Sequence, residues 1–246
     1  MVWVRLGVFL ALAALAGCTD NYIWNQKVTV RVDTPGGLRT GSSVHKVSVT
    51  HHTNDFLVGL ANGHSLTSGM RGEAVVVDVR PDAPPGEPRY LFLLLGEPPY
   101  RLAQHAIRPG RDASSYRAQP NQKRLSVGES FSQIVNAEGS HPVPVYRLPL
   151  MVTFRDVADP TSVMRVEPDQ LAATFGPGVR LAGVTLEVVD EEVTQGRVID
   201  VLGDDFFRRW ASFEKKLRTT SGRKHPYFQT LSFKLTRNDF IQGPKR

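Results

Sequence analysis

Between Lys27 and Asp33 polar and apolar residues alternate at every step, with Val28, Val30 and Val32 on one side. A period of two is that of a strand with one face buried. Thr34-Pro35-Gly36-Gly37 supplies turn chemistry, proline presetting φ and glycine accepting positive φ. Ser43–Val49 is the expected returning strand. Further strands are predicted at Glu73–Val79, Arg89–Leu95, Tyr146–Phe154, Thr161–Val166 and Val179–Val189. Arg89–Leu95 is continuously apolar in its second half, as in a strand covered on both faces. In Val179–Val189, Val184, Leu186 and Val188 face one way.

Helical periods are fewer and come late. A short helix is predicted from Val127 to Ala137, and two helical turns over Pro168–Phe175, stopped by Gly176-Pro177-Gly178. Asp204–Thr219 is the best-formed helix. Phe206, Trp210, Phe213 and Leu217 recur every three or four residues as one apolar stripe. Asp204 and Asp205 stand where the helix dipole favours anions, and Lys215, Lys216 and Arg218 where it favours cations. Alternation at Tyr227, Gln229, Leu231, Phe233 and Leu235 predicts a closing strand. Eight prolines between residues 81 and 120 predict that no regular element crosses that stretch. This order of elements predicts an α+β fold, a mainly antiparallel β-sheet with one amphipathic C-terminal helix packed on it. An all-β sandwich with an appended helix is the competing architecture.

Composition changes this picture little. With 246 residues, 41% hydrophobic and 22% charged, the chain is long enough to bury a core without covalent staples. Charge patterning changes it more. The formal net charge is +6, but residues 207–246 hold eleven basic side chains against Glu214 and Asp239. A run of acids precedes them: Glu187, Asp190, Glu191, Glu192, Asp200, Asp204 and Asp205. Arg208, Arg209, Lys215, Lys216, Arg218, Arg223 and Lys224 therefore form a candidate basic interaction surface. It would suit anionic lipid, another polyanion or an acidic partner, unless the charge is simply solvated or compensated by the acids.

Residues 1–17 read as a secretory leader: one charge at Arg5, an apolar stretch from Leu6 to Leu15, then small residues. Its apolar run is too short to span a bilayer. Cys18 follows, the single cysteine in the chain, so no intramolecular disulfide can form. Leu15-Ala16-Gly17-Cys18 resembles the lipobox of bacterial lipoproteins. That resemblance implies cleavage before Cys18, a diacylglyceryl thioether on its sulfur, and usually a fatty acyl group such as palmitate on the new amino terminus. Two or three buried chains hold a protein firmly where one holds marginally. The expectation is a lipid-anchored envelope protein facing the periplasm. Threonine rather than aspartate at position 19 favours the outer membrane, with the inner membrane as the alternative. In that compartment nucleic acid is not an expected partner; the membrane itself, another envelope protein or an anionic polymer is.

The expected organisation is a signal peptide at 1–17, a short tether at 18–26 and a body at 27–246, with a subdivision near 97–125 left open. A second resemblance covers part of the body. Asp159–Val163, Glu167–Val179 and Val184–Glu187 look similar to an uncharacterised group of alphaproteobacterial proteins, as does Val28–Val49. It implies no activity and transfers no catalytic residues.

Catalytic signatures are weak. His51, His52 and His64, with Asp55, are the densest potential metal ligands, although adjacent histidines on a strand point apart. Ser43-Val44-His45-Lys46 matches S-x-x-K, but a strand would put Ser43 and Lys46 on opposite faces. Gly176-Pro177-Gly178 lacks the third glycine of a dinucleotide loop. No cofactor is expected, and the reading leans towards a non-enzymatic binding or structural component. An envelope hydrolase with a loop metal or histidine site is the rival.

Overall fold

The computed structural model describes residues 19–52, 65–108, 125–221 and 226–243. The alternating start becomes a long hairpin of β1 (Thr19–Thr34) and β2 (Gly37–His52). The two pair without a register break from Thr19↔His52 to Thr34↔Gly37, and sixteen residues of strand extend about 50 Å. At the turn Thr34 Oγ1 donates to the Gly37 carbonyl (2.7 Å), and Gly37 holds a φ of 103°. Residues 19–26, expected as a tether, are strand. Tyr22 and Trp24 continue the buried face, and their rings meet Phe131 at 5.3 and 6.3 Å, so apolar contact orders the segment.

The hairpin is the middle of a six-stranded antiparallel sheet in the order β10-β3-β2-β1-β9-β6. Its other members are β3 (Leu66–Glu73), β6 (Ser140–Pro142), β9 (Arg180–Val189) and β10 (Ile241–Gln242). A second antiparallel sheet, β4-β5-β7-β8, comprises β4 (Val75–Asp78), β5 (Tyr90–Leu93), β7 (Met151–Phe154) and β8 (Val163–Val166). Among the described residues, ten strands in two antiparallel sheets with seven α-helices make the α+β fold that the strand-rich pattern predicts.

The sheets stack face to face. Val28, Val30, Val32, Val47 and Leu186 of the first meet Val75, Val77, Leu91, Leu93 and Met151 of the second in one core. Gly41 allows the close crossing, because a Cβ there would collide with the Val76 carbonyl. One end of this core is closed by α1 (Arg101–Ile107) and α2 (Val127–Val135), through Ala103, Ala106, Phe131 and Ile134. Ser126 caps α2, accepting from Glu129 N while the Glu129 carboxylate accepts from Ser126 N.

The opposite face of the second sheet supports another core. Phe92, Leu94, Val152 and Phe154 pack against Val198 and Leu202 of α4 (Arg197–Leu202), Phe206 and Trp210 of α5 (Phe206–Ser221), and Phe240 of α7 (Arg237–Phe240). Strand β5 thus sends Leu91 and Leu93 one way and Phe92 the other, which is why its sequence is apolar without a gap. Ala74 N donates to the Phe240 carbonyl and Leu95 N to the Asp239 carbonyl, tying the helical layer to the middle sheet.

Four expectations need correction. The closing strand over Tyr227–Leu235 is instead a 3₁₀ turn at Pro226–Gln229 and α6 (Leu231–Lys234). Thr230 caps α6 by accepting from Phe233 N (3.4 Å), and α6 lies against β8, covering the second sheet rather than extending it. The proline-rich stretch does hold a helix, since α1 fits the proline-free interval between Pro99 and Pro109. Its Ala103 and Ala106 enter the same core as both sheets. The helix expected over Pro168–Phe175 is only α3 (Leu171–Phe175), ending at Gly176 with φ 100°. In α5 the apolar stripe is buried at Phe206 and Trp210, but Phe213 is 39% exposed.

Candidate functional site

The site grows from the end of β3. Glu73, its last residue, is buried at 1% exposure, and a carboxylate taken out of water needs donors. After β9 the chain crosses the outer side of β2, where Thr194 N donates to the Val44 carbonyl and Val44 N donates to Thr194 Oγ1 (3.0 and 2.8 Å). Gly196 then adopts a left-handed φ of 98° and starts α4. The Glu73 carboxylate accepts from Gly196 N (3.1 Å), Arg197 N (2.8 Å) and Val198 N (3.3 Å). Burial pushes its pKa above the ordinary carboxylate value, the three amides pull it down, and nearby Asp200 raises it again.

The main chain of Glu73 is held as well. Ser43 Oγ and His45 Nε2 each donate to its carbonyl at 2.8 Å. That bond requires the proton of a neutral His45 ring to sit on Nε2. Burial drives the His45 pKa down to about 4, with the Glu73 carbonyl opposing. Gly72 leaves room for the ring, since a Cβ there would stand 2.7 Å from His45 Cδ2. Ser43 and Lys46 are buried and exposed respectively, so S-x-x-K brings no lysine to the serine.

Above Glu73 opens a cleft of about 790 Å³. Its walls are Arg71 and Gly72 of β3, the 193–196 crossing, Ile199 and Asp200 of α4, Asp204, the start of α5 through Phe207 and Arg208, Arg237 of α7, and β10. Its volume is that of a small-molecule site. Arg208 pairs with Asp205, and Arg237 Nη1 reaches the Ile241 carbonyl at 3.4 Å. Arg71, Asp200 and Asp204 have no ion pair or side-chain hydrogen bond among the described residues. None of the described residues lining the cleft is serine, cysteine or histidine. The arrangement sets charges of both signs beside an apolar wall of Ile199, Phe207 and Ile241.

The expected site residues fall elsewhere. Cys18, His64, Arg223 and Lys224 lie outside the described residues, as does Asp55. His51 and His52 diverge: His51 Nδ1 stands 3.5 Å from Asp20 of β1, and His52 Nε2 3.4 Å from Thr67 of β3. Among the described residues no group of three metal-ligating side chains forms. The basic candidates Arg208, Arg209, Lys215 and Lys216 are all exposed on α5, Arg208 at the cleft. Arg218 turns away from them, 3.9 Å from Glu214 and over the Phe233 ring at 5.4 Å.

The cleft itself was not visible from motifs. Its one local signal is Glu73, a single acid between Gly72 and the apolar run Ala74–Val77. An acid in such a place needs either water or dedicated donors. No protein-family model, curated protein or solved structure matches the chain.

Proposed function

We propose that this chain is a lipid-anchored protein of the bacterial cell envelope, with a non-enzymatic body that binds another envelope component in the cleft beside Glu73. The observation that carries the anchor is Leu15-Ala16-Gly17-Cys18 at the end of an apolar leader, with the only cysteine at the position the motif requires. For the body, support comes from the convergence of Arg71, Arg208, Arg237, Asp200 and Asp204 on one cleft. The divergence of His51 and His52 gives the hydrolase reading no support. The outer membrane, facing the periplasm, is the assigned side; the inner membrane is the alternative.

Cys18→Ala is expected to move the protein from the membrane to the soluble fraction or to leave it with an uncleaved leader. Intact mass of the wild-type amino terminus is expected to show the acyl chains. An unmodified thiol in the native product would remove the anchor from this reading.

The outward side of α5 favours a second reading. Arg209, Lys215 and Lys216 are exposed and have no acidic partner among the described residues. Such a face binds anionic surfaces with strong salt dependence. Binding to vesicles containing anionic lipid is expected to fall as salt rises and to weaken further in Lys215→Glu. Binding indifferent to both would discard this surface.

A further inference from the structure

We propose that the cleft beside Glu73 binds a small zwitterion: an anionic carboxylate or phosphate and an ammonium carried close together, flanked by an apolar substituent. The proposal rests on the reading of the body as a binding module and names the class of its ligand.

Three arginines from separate parts of the chain line the cleft: Arg71 on β3, Arg208 on α5 and Arg237 on α7. Arginine is the side chain suited to carboxylate and phosphate, because its planar fork matches their oxygens. Asp200 and Asp204 line the same space with the opposite sign.

These charges are also not neutralising each other. Arg71, Asp200 and Asp204 make no ion pair or side-chain hydrogen bond among the described residues, although they share one cavity. Their backbones are fixed by other contacts. Arg71 sits opposite Lys46 in the β2–β3 ladder. Asp200 rides on α4, whose first amides are held by the Glu73 carboxylate. Those amides are therefore occupied, which leaves Arg71, together with Arg208 and Arg237 beyond their contacts with Asp205 and the Ile241 carbonyl, to receive the ligand's anion. Asp200 and Asp204 would receive its ammonium. Ile199, Phe207 and Ile241 supply the apolar wall.

Two sources share this chemistry: a phosphoethanolamine headgroup, and an amino acid or peptide end with an apolar side chain. The test uses the full chain in detergent solution, with binding measured by calorimetry. The probes are phosphoethanolamine, glycerophosphoethanolamine and phenylalanine, with inorganic phosphate and ethanolamine as single-charge controls. At least one zwitterion is expected to bind about tenfold or more tightly than either control, and the tighter of the two kinds names the source. Arg71→Gln and Asp200→Asn are each expected to weaken that binding by about tenfold, with an unchanged far-ultraviolet spectrum and melting temperature. Lys234→Gln, exposed on α6 away from the cleft lining, is expected to bind as wild type. Phosphate binding as tightly as the zwitterions would overturn the proposal, as would no binding by any probe or full binding by both cleft variants. None of these readouts depends on Cys18, so the lipid anchor can fail without touching this result, and the reverse.

Discussion

Glu73→Ala is expected to destabilise the protein by about 3–5 kcal/mol, read as a drop in the urea midpoint with an unchanged denaturant slope. The side chain is buried, and its two oxygens accept from three consecutive amides at the start of α4. Truncation leaves those donors facing an apolar gap. Each unsatisfied buried amide costs about 1–3 kcal/mol, and water entering from the cleft recovers only part. Glu73→Gln keeps one acceptor but sets an amide donor against the chain's own donors, so about 1–2 kcal/mol is expected. A loss below about 1 kcal/mol for Glu73→Ala would mean that α4 holds its place without the carboxylate.

Acid is expected to weaken the fold through His45. Its folded-state pKa is about 4, against an ordinary value of 6.5. Below pH 6.5 the unfolded chain takes up a proton that the folded chain refuses until about pH 4. Unfolding therefore becomes easier as pH falls through that window, and stability present above it is lost. The difference corresponds to about 3 kcal/mol. Glu73 has the opposite sign: its raised pKa favours the folded state at low pH, a contribution lost as pH rises. Subtracting the pH profile of His45→Gln, which keeps a donor for the Glu73 carbonyl, isolates the histidine. If wild type and His45→Gln lose stability in parallel between pH 6.5 and 4, the ring is not buried in its neutral form.

Much of the strand framework could be read along the chain, because burial on one face imposes a period of two. Val28–Val32, Val184–Leu186 and the returning β2 follow that rule. The apolar run in β5 announced a strand between two cores, and both are present. Where the same period failed, at Tyr227–Leu235, a proline and a capping threonine bent an alternating segment into short helical turns. Two-residue periodicity over so few positions does not distinguish them, since Tyr227, Leu231 and Leu235 can also reach a core one turn at a time.

The cleft was illegible for a different reason. Arg71, Glu73, Asp200 and Arg237 are ordinary charged residues in sequence, brought together only by the β3–β10 pairing and the 193–196 crossing. No local pattern encodes such a meeting. The basic run from Arg208 was legible as charge, but helical geometry divides it. Arg208 faces the cleft, Arg218 packs on Phe233, and Lys215 and Lys216 are left in solvent.

The middle sheet belongs to both cores, and this gives the molecule two built-in reporters. Trp24 sits in the core between the sheets and Trp210 in the core under the helices. They are the tryptophans of the described residues; Trp3 lies outside them. Replacing either by phenylalanine makes fluorescence speak for one layer alone. Because each layer leans on the same four strands, neither has a surface it can keep once the other has dissolved. The two emission curves should then melt as one, the signature of a single cooperative unit.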